Sequence, residues 1–575
     1  MSRTFLPYPR TRRAAGACLT VLALLAATAA RAEVMLQWFE SDWDEMYRRM
    51  PEVAEIGYDY IWTPPPTKGP TGHGTKWANV GDNLYDRFDI GDVPQRGSLA
   101  TRYGTRGALN NMIRAAHAMD VKVIPDIIMN HNGNGPDFRE YPGMVPEDFH
   151  VQWAQGYANS LNYKRGPRMD QWTPDNGYGG TMWMELAQLI DIRTEDAHDA
   201  NRFTGGANTP GWNLVAGQSF VRHPGQYDRY PYYPAGYANE RVDQMLFRWI
   251  AWLGNAIDYD GLRLDAGKHV PHEFFGTRGS GFLHEAQWNY NARRGYSDSS
   301  ANEADQLFQN YLGERDDALI FAEILSYWDE LKYWYGYSGN DRNPMRFLDY
   351  QMKKHADSKF NGNLNGLGAF GSDFGPNNGI SYVWGHDEGP ASKANLAYAY
   401  ILTHIGFPMV YFTGNNILWD NYGRNPYDPN NPTRNKTWMI PGHDSQALGD
   451  SFDDIPNLVW IHQQFAWGEE HNLWKDDGDY FALERWSDAD GNGRDPGDAL
   501  MLTALNDSGG NQTRSLTTSF AQNTVLKDYA GNNLSDVTVG AGGVVNIEVP
   551  GMGGQGWVCY APKTADPLKI DVLGA

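Results

Sequence analysis

Within the decapeptide DGLRLDAGKH (260–269), Arg263 and Asp265 stand two residues apart, and Lys268 and His269 follow at once. Side chains at i and i+2 of a β-strand point to the same side, so this stretch aims a guanidinium and a carboxylate into one space. A structural salt bridge would account for an isolated Arg-x-Asp pair. Three other segments close an apolar run in the same way, however. DIIMNH (126–131) carries Asp126, Asn130 and His131, FAEI (321–324) carries Glu323, and VWGHD (383–387) ends in His386 and Asp387. Carboxylates, histidines and an arginine converging on one rim are hard to explain structurally, because buried like charges are costly unless they are used. Paired carboxyl groups are the machinery of general acid–base work.

Such residues need strands that end on a common face. Short β-branched and aromatic runs alternate with amphipathic helical stretches: VMLQWF (34–39), YDYIWTPP (58–65), VKVIPDIIMNH (121–131), DGLRLDA (260–266), ALIFAEI (318–324), ISYVWGHD (380–387) and MVYFTG (409–414). Strand–helix alternation of this length predicts a closed (β/α)8 TIM barrel, which carries its working residues at the C-terminal strand ends. The barrel is assigned to residues 33–131 and 239–470. The interval 132–238, rich in Tyr, Asn, Gly and Pro, is too long for a loop and is expected to be a folded insertion after the third strand. Residues 471–575 change to short strands between Asn/Asp/Gly turns, the pattern of a C-terminal all-β sandwich domain. Within it, DADGNGRD (488–495) matches the first half of a calcium loop, but Ala499 stands where a bidentate Glu should close the site, so a hairpin turn is expected.

The chain has 575 residues and a formal charge of -22, which argues against nucleic acid or an anionic membrane as partner. The N-terminus combines Arg10, Arg12 and Arg13, an apolar run from Ala14 to Ala30, and Ala30-Arg31-Ala32. That is the pattern of a secretory signal peptide cleaved after Ala32, giving an extracellular or periplasmic protein. Cys18 would leave with the signal, so Cys559 would remain alone and no internal disulfide could form. A monomer is expected.

Taken together, DIIMNH, GLRLDAGKH, FAEI and VWGHD resemble, in order, the four short regions of the α-amylase family, glycoside hydrolase family 13. LIDIRTED (189–196) is similar to that family's further signature in its inserted domain. LQWFE, YIWTPPPTKG, NLYDRFDIGD and TRYGTRGAL look like the bacterial liquefying α-amylases. The resemblance implies a retaining hydrolase of internal α-1,4-glucosidic bonds in starch, glycogen or maltooligosaccharides. Asp265 would be the nucleophile, its charged form favoured by Arg263. Glu323 would be the acid/base with a raised pKa, and Asp387 the carboxylate gripping the distorted sugar ring. It further implies sugar contacts by His131, Arg263, His386, Lys268 and His269, with Trp62 and Tyr85 as aromatic candidates. Asp126 reads as a structural group of the rim. Asn130, Asp191 and the backbone carbonyl of His269 correspond to ligands of the family's calcium ion, an all-oxygen set that suits Ca2+. Two positions depart from the pattern. Asp82 stands where an aromatic residue usually stacks under the cleavage-point sugar, a part that Tyr85 or Trp77 could take, and Gly385 replaces an Asn before His-Asp. A transglycosylase or an exo-acting, maltooligosaccharide-forming amylase would use the same carboxylates. A non-catalytic binding protein on this fold ranks last, because such a protein would be expected to lose them.

Overall fold

Eight short strands, buried on both faces, close into a parallel barrel. The computed structural model describes residues 32–69, 81–133, 189–192, 194, 242–270, 272–275, 281–283, 286, 290, 318–324, 345–369, 379–413, 454–488 and 491–563. In chain order the strands are β1 (Met35–Phe39), β2 (Tyr60–Thr63), β3 (Lys122–Ile127), β4 (His131–Gly133), β5 (Leu189–Asp191), β6 (Gly261–Leu264), β7 (Leu319–Ala322), β8 (Arg346–Leu348), β9 (Gly379–Ser381) and β10 (Phe407–Thr413). The barrel runs β1-β2-β3-β6-β7-β8-β9-β10 and back to β1, while β4 and β5 form a separate antiparallel pair. Helices cover the outside of a parallel barrel and side chains fill its inside, which explains continuous apolar runs such as YIWT and LIFA. β6 and β7 lie unusually close at one rung. A Cβ added at Gly261 would sit 2.0 Å from the Leu319 carbonyl oxygen, so glycine is required there.

The helices start where the sequence supplies caps. Asp42 accepts the Glu45 N–H at 2.7 Å and opens α1 (Trp43–Ile56), which ends at Gly57 in the left-handed region, φ 102°. Thr105 opens α2 (Arg106–Ala118) in the same manner. α1 buries Trp43, Met46, Met50 and Val53, a stripe at helical spacing. α3 (Val242–Ala256) leads into β6.

Eight further strands build the C-terminal domain: β11 (Glu469–Trp474), β12 (Tyr480–Trp486), β13 (Ala499–Asn506), β14 (Gln512–Thr517), β15 (Val525–Asp528), β16 (Val537–Thr538), β17 (Val544–Val549) and β18 (Trp557–Pro562). Six form a sheet in the order β11-β12-β13-β18-β15-β16, and β14 pairs with β17. Tyr480 and Ala482 share a core with Leu516, Val545 and Ile547 of the β14–β17 ribbon. The alternate residues Phe481 and Leu483, with Trp557 and Cys559, belong instead to the core of the barrel. The large sheet is therefore apolar on both faces, one toward the ribbon and one toward the barrel. Polar contacts pin the same boundary. Glu470 Oε2 accepts the Ile405 N–H at 2.8 Å and lies 2.7 Å from His404 Nδ1, and Arg485 donates to the Thr403 carbonyl at 3.4 Å.

The barrel and the C-terminal β domain match the sequence expectation. Strand β8, three residues long, is the sixth strand of the expected eight, which no run in the sequence marks. Most of the expected insertion, and the expected signal segment up to Arg31, lie outside the described residues. Among the described residues no helix is long and apolar enough to cross a membrane. In the β12–β13 connection Asp488 accepts the N–H groups of Gly491, Asn492 and Gly493, as a turn-forming aspartate does, while Asp490 lies outside the described residues.

Candidate active site

Arg263, fully buried in β6, organises the C-terminal rim of the barrel. One terminal nitrogen donates to both Asp126 oxygens, at 2.8 and 2.9 Å, and to Asp265 Oδ1 at 2.5 Å. The other donates to Glu323 Oε2 at 2.6 Å. Strand register produces this. Asp126 of β3 lies opposite Arg263, and Arg263 lies opposite Phe321 of β7, two residues before Glu323. Backbone bonds continue the register past the strand ends, with Asp265 N–H on the Ile127 carbonyl and Glu323 N–H on that of Leu264. The next residue, Ala266, adopts a left-handed φ of 50°, a conformation disfavoured for a side chain with a Cβ, and turns the chain into the 3-10 turn Gly267–His269. Lys268 and His269 are half-buried in that turn. The Ala266 N–H also donates to Glu323 Oε2, at 3.2 Å.

Two histidines flank this group. His131, buried in β4, sets Nε2 3.9 Å from Asp265 Oδ2 and 3.0 Å from the Asp82 carbonyl. His386 sets Nε2 3.1 Å from Asp387 Oδ2, and its Nδ1 lies 2.7 Å from Gln37 Nε2. Its ring packs on Phe39 and edge-on to Trp62, at centroid distances of 4.5 and 5.6 Å. Trp62 also lies under the Arg263 guanidinium at 4.9 Å. A cleft lined by Gln37, Trp62, Arg263, Glu323, Tyr382, His386, Asp387 and Glu388 opens at this rim. The side chains of Asp265 and Glu323 are 15 % and 14 % exposed and that of Asp387 is 61 % exposed, so the first two lie deep and the third at the mouth.

Charge follows from this packing. Burial raises the pKa of Glu323; Arg263 opposes the rise, and Asp265 and Asp387 add to it. Asp387, at the mouth, is held down at about 2 by His386 beside it. Burial alone would lower His386, and the Asp387 charge turns the shift upward. Asp82 is pushed up to about 6 by burial and by Asp265. The arrangement thus combines a carboxyl biased toward its protonated form with one held firmly ionised, beside a third that shares a guanidinium with the first.

Asp126, Arg263, Asp265, Glu323, His386 and Asp387, singled out from sequence, come together on one rim, with His131 beside them. Trp62 lines the floor of the cleft, fully buried. Tyr85 is also buried, its ring covered by the Arg96 guanidinium at 4.7 Å. Trp77 lies outside the described residues. Sequence reasoning missed Gln37, Tyr382 and Glu388. Gln37 left one trace: it is the polar member of a strand otherwise apolar throughout.

Among the described residues no group of three or more His, Cys, Asp or Glu is placed to hold a metal. The expected calcium donors are of another kind, an amide, a carboxylate and a main-chain carbonyl. The β4–β5 ladder sets Asp191 opposite His131, and the Ile192 N–H donates to the Asn130 carbonyl at 2.8 Å. Asn130 and Asp191 are thus brought to neighbouring positions by backbone pairing, while His269 ends the turn that follows Asp265. Hard oxygen donors of this type fit calcium rather than a thiophilic or imidazole-seeking ion.

A family profile described as "Alpha amylase, catalytic domain" matches residues 29–187, and one described as "Alpha-amylase C-terminal" matches residues 501–558. The chain is 24 % identical over 512 residues to an α-amylase of Bacillus licheniformis, covering 82 % of this chain and 83 % of that one. It is 24 % identical over 548 residues to a glucan 1,4-alpha-maltohexaosidase of Bacillus sp. (strain 707), covering 91 % and 92 %. An α-amylase structure from Malbranchea cinnamomea superposes with a TM-score of 0.56 at 15 % identity, covering 93 % of this chain and 97 % of the other.

Proposed function

We propose that the chain is a glycoside hydrolase of the α-amylase family, and within it a secreted, retaining enzyme that cleaves internal α-1,4-glucosidic bonds of starch, glycogen or maltooligosaccharides. The observation that carries this reading is the pair of carboxyls, Asp265 and Glu323, hydrogen-bonded to the two ends of one guanidinium. That span suits the separation of roughly 5 Å used by retaining glycosidases better than the wider gap that admits a water in inverting ones. The relatives support the substrate class, and one of them is named for releasing maltohexaose.

In this reading Asp265 attacks the anomeric carbon, with Arg263 supplying its countercharge. Glu323 gives its proton to the departing glycosidic oxygen as the C–O bond breaks. The resulting Glu323 carboxylate then takes a proton from water, whose oxygen attacks the same carbon and frees Asp265. Asp387, kept ionised by His386, holds the sugar hydroxyls and stabilises positive charge on the ring as the bond breaks. His131 and His386 contact the cleavage-point sugar, Lys268 and His269 the sugar on the reducing side. Trp62 supports the floor, and Tyr85 packs the loop behind it. Asn130, Asp191 and the His269 carbonyl would hold a calcium ion that ties the insertion to the barrel. When bound, the ion supplies structural cross-linking and takes no proton.

Product chromatography on soluble starch, pullulan and short maltooligosaccharides tests the reading. Internal cleavage should give an early ladder of intermediate products from starch and leave the α-1,6 bonds of pullulan intact. Oligosaccharides longer than the substrate would instead identify a transferase, and a single short product from the outset would identify exo-action.

A further inference from the structure

Gln37 sits mid-strand in β1 between Leu36 and Trp38 and is completely buried. A buried amide is costly unless it is hydrogen-bonded. Its Nε2 lies 2.7 Å from His386 Nδ1, and the opposite nitrogen of that ring lies 3.1 Å from Asp387 Oδ2. Its Oε1 is buried, lacks a hydrogen-bond partner among the described residues, and belongs to a side chain that lines the cleft. Phe39 and Trp62 fix the plane of the His386 ring, but stacking does not decide which nitrogen carries a proton. That is decided by the partners of the two nitrogens.

Position 385 adds a second observation. Gly385 places no side chain beside His386, and a Cβ built there would meet Gln37 Oε1 at 3.6 Å, an ordinary contact. The amide from β1 therefore borders both residue 385 and the ring. We propose that Gln37 is a positioning residue, which fixes the His386 ring and, through it, the Asp387 carboxylate in the orientation used on the cleavage-point sugar. An amide suits this task because it serves both states of the ring. Nε2–H donates to Nδ1 of neutral imidazole, and after a half-turn Oε1 accepts from imidazolium. Asp387, Arg263 and Asp126 bias the ring between those states, as do Asp82 and Glu323 nearby. Gln37 is the uncharged group that follows it. The proposal rests on the role given to Asp387 above.

The test is a double-mutant cycle on the full chain, with kcat, KM and melting temperature measured for Gln37→Met, His386→Ala, the double variant and Asp387→Asn. Gln37→Met should lower kcat about tenfold, the loss of one hydrogen bond felt in the transition state, with little change in KM. In the His386→Ala background the same substitution should change kcat by less than about twofold. Gln37→Glu, isosteric and able only to accept, keeps the volume should the Met variant fail to fold. It should hold the ring as imidazolium and extend the alkaline side of the His386-dependent pH profile. Equal losses from Gln37→Met in both backgrounds, or a lowered melting temperature with unchanged kcat, would overturn the proposal. So would an unchanged pH profile in Gln37→Glu. If Asp387→Asn and His386→Ala themselves kept full turnover, the site reading would fall and the proposal with it. If they lowered turnover while Gln37→Met left kcat unchanged, the proposal alone would fall.

Discussion

Arg263 balances three carboxylates at once, Asp126, Asp265 and Glu323. The two terminal nitrogens of a guanidinium form a fixed fork, so one side chain can bridge carboxyls from three strands, which the point charge of a lysine could not. The consequence for Glu323 is a contest in which burial wins and its pKa rises. Its protonated, working form therefore persists above the ordinary carboxylate range, and kcat/KM should fall as pH rises through that raised value. Glu323→Gln should lower kcat by about 10²–10⁴-fold and remove this alkaline limb. A pH–rate profile with the limb intact in the variant would assign it to another group. Arg263, Asp265, Glu323 and Asp387 were legible in the sequence because ionised side chains at the ends of apolar runs need a reason. Gln37 and Tyr382 were not, since an amide or a phenol in such a run reads as ordinary core. Asp82 stood out only as a mismatch, and its closeness to Asp265 depends on a loop whose path periodicity does not encode.

At the scale of elements, the β4–β5 pair matters out of proportion to its three-residue strands. It places His131, Asn130 and Asp191 together, and Arg87 braces it from the loop after β2. That guanidinium donates to Asn132 Oδ1 at 2.6 Å and to the His131 carbonyl at 2.9 Å, and packs over Trp249 of α3 at 5.6 Å. So short a ladder gains little from its own hydrogen bonds, which is where an ion would contribute most. A calcium ion bound at 1,000 times its Kd adds about 4 kcal/mol. Excess EDTA should therefore lower the melting temperature by about 3–5 °C. An unchanged melting curve would count against the Asn130–Asp191 site. Most barrel strands could be read from apolar runs bounded by turns. β8 escaped because Arg346-Phe347-Leu348 is too short to show a period and opens with a charge.

Across the whole molecule, the barrel and the large C-terminal sheet share one apolar core, and Glu470 is the charged rivet at that seam. Burial would raise its pKa, but His404 and Arg485 hold it below the ordinary value. A depressed carboxyl adds stability above its unfolded pKa and loses it as pH falls through the folded one, so this seam should loosen on acidification. Glu470→Gln should cost about 1–3 kcal/mol at pH 7, measured by chemical denaturation, and should flatten the acid-side loss. An unaltered pH slope would show that the seam does not sense this group.

The position of β18 sets a timetable. The last strand among the described residues lies between β13 and β15, in the middle of its sheet, and contributes Trp557 and Cys559 to the barrel side. Residues 557–562 must therefore have been synthesised before either unit can complete its shared wall. Until then the barrel face that the sheet covers keeps its apolar side chains in water, a hazard if synthesis is slow.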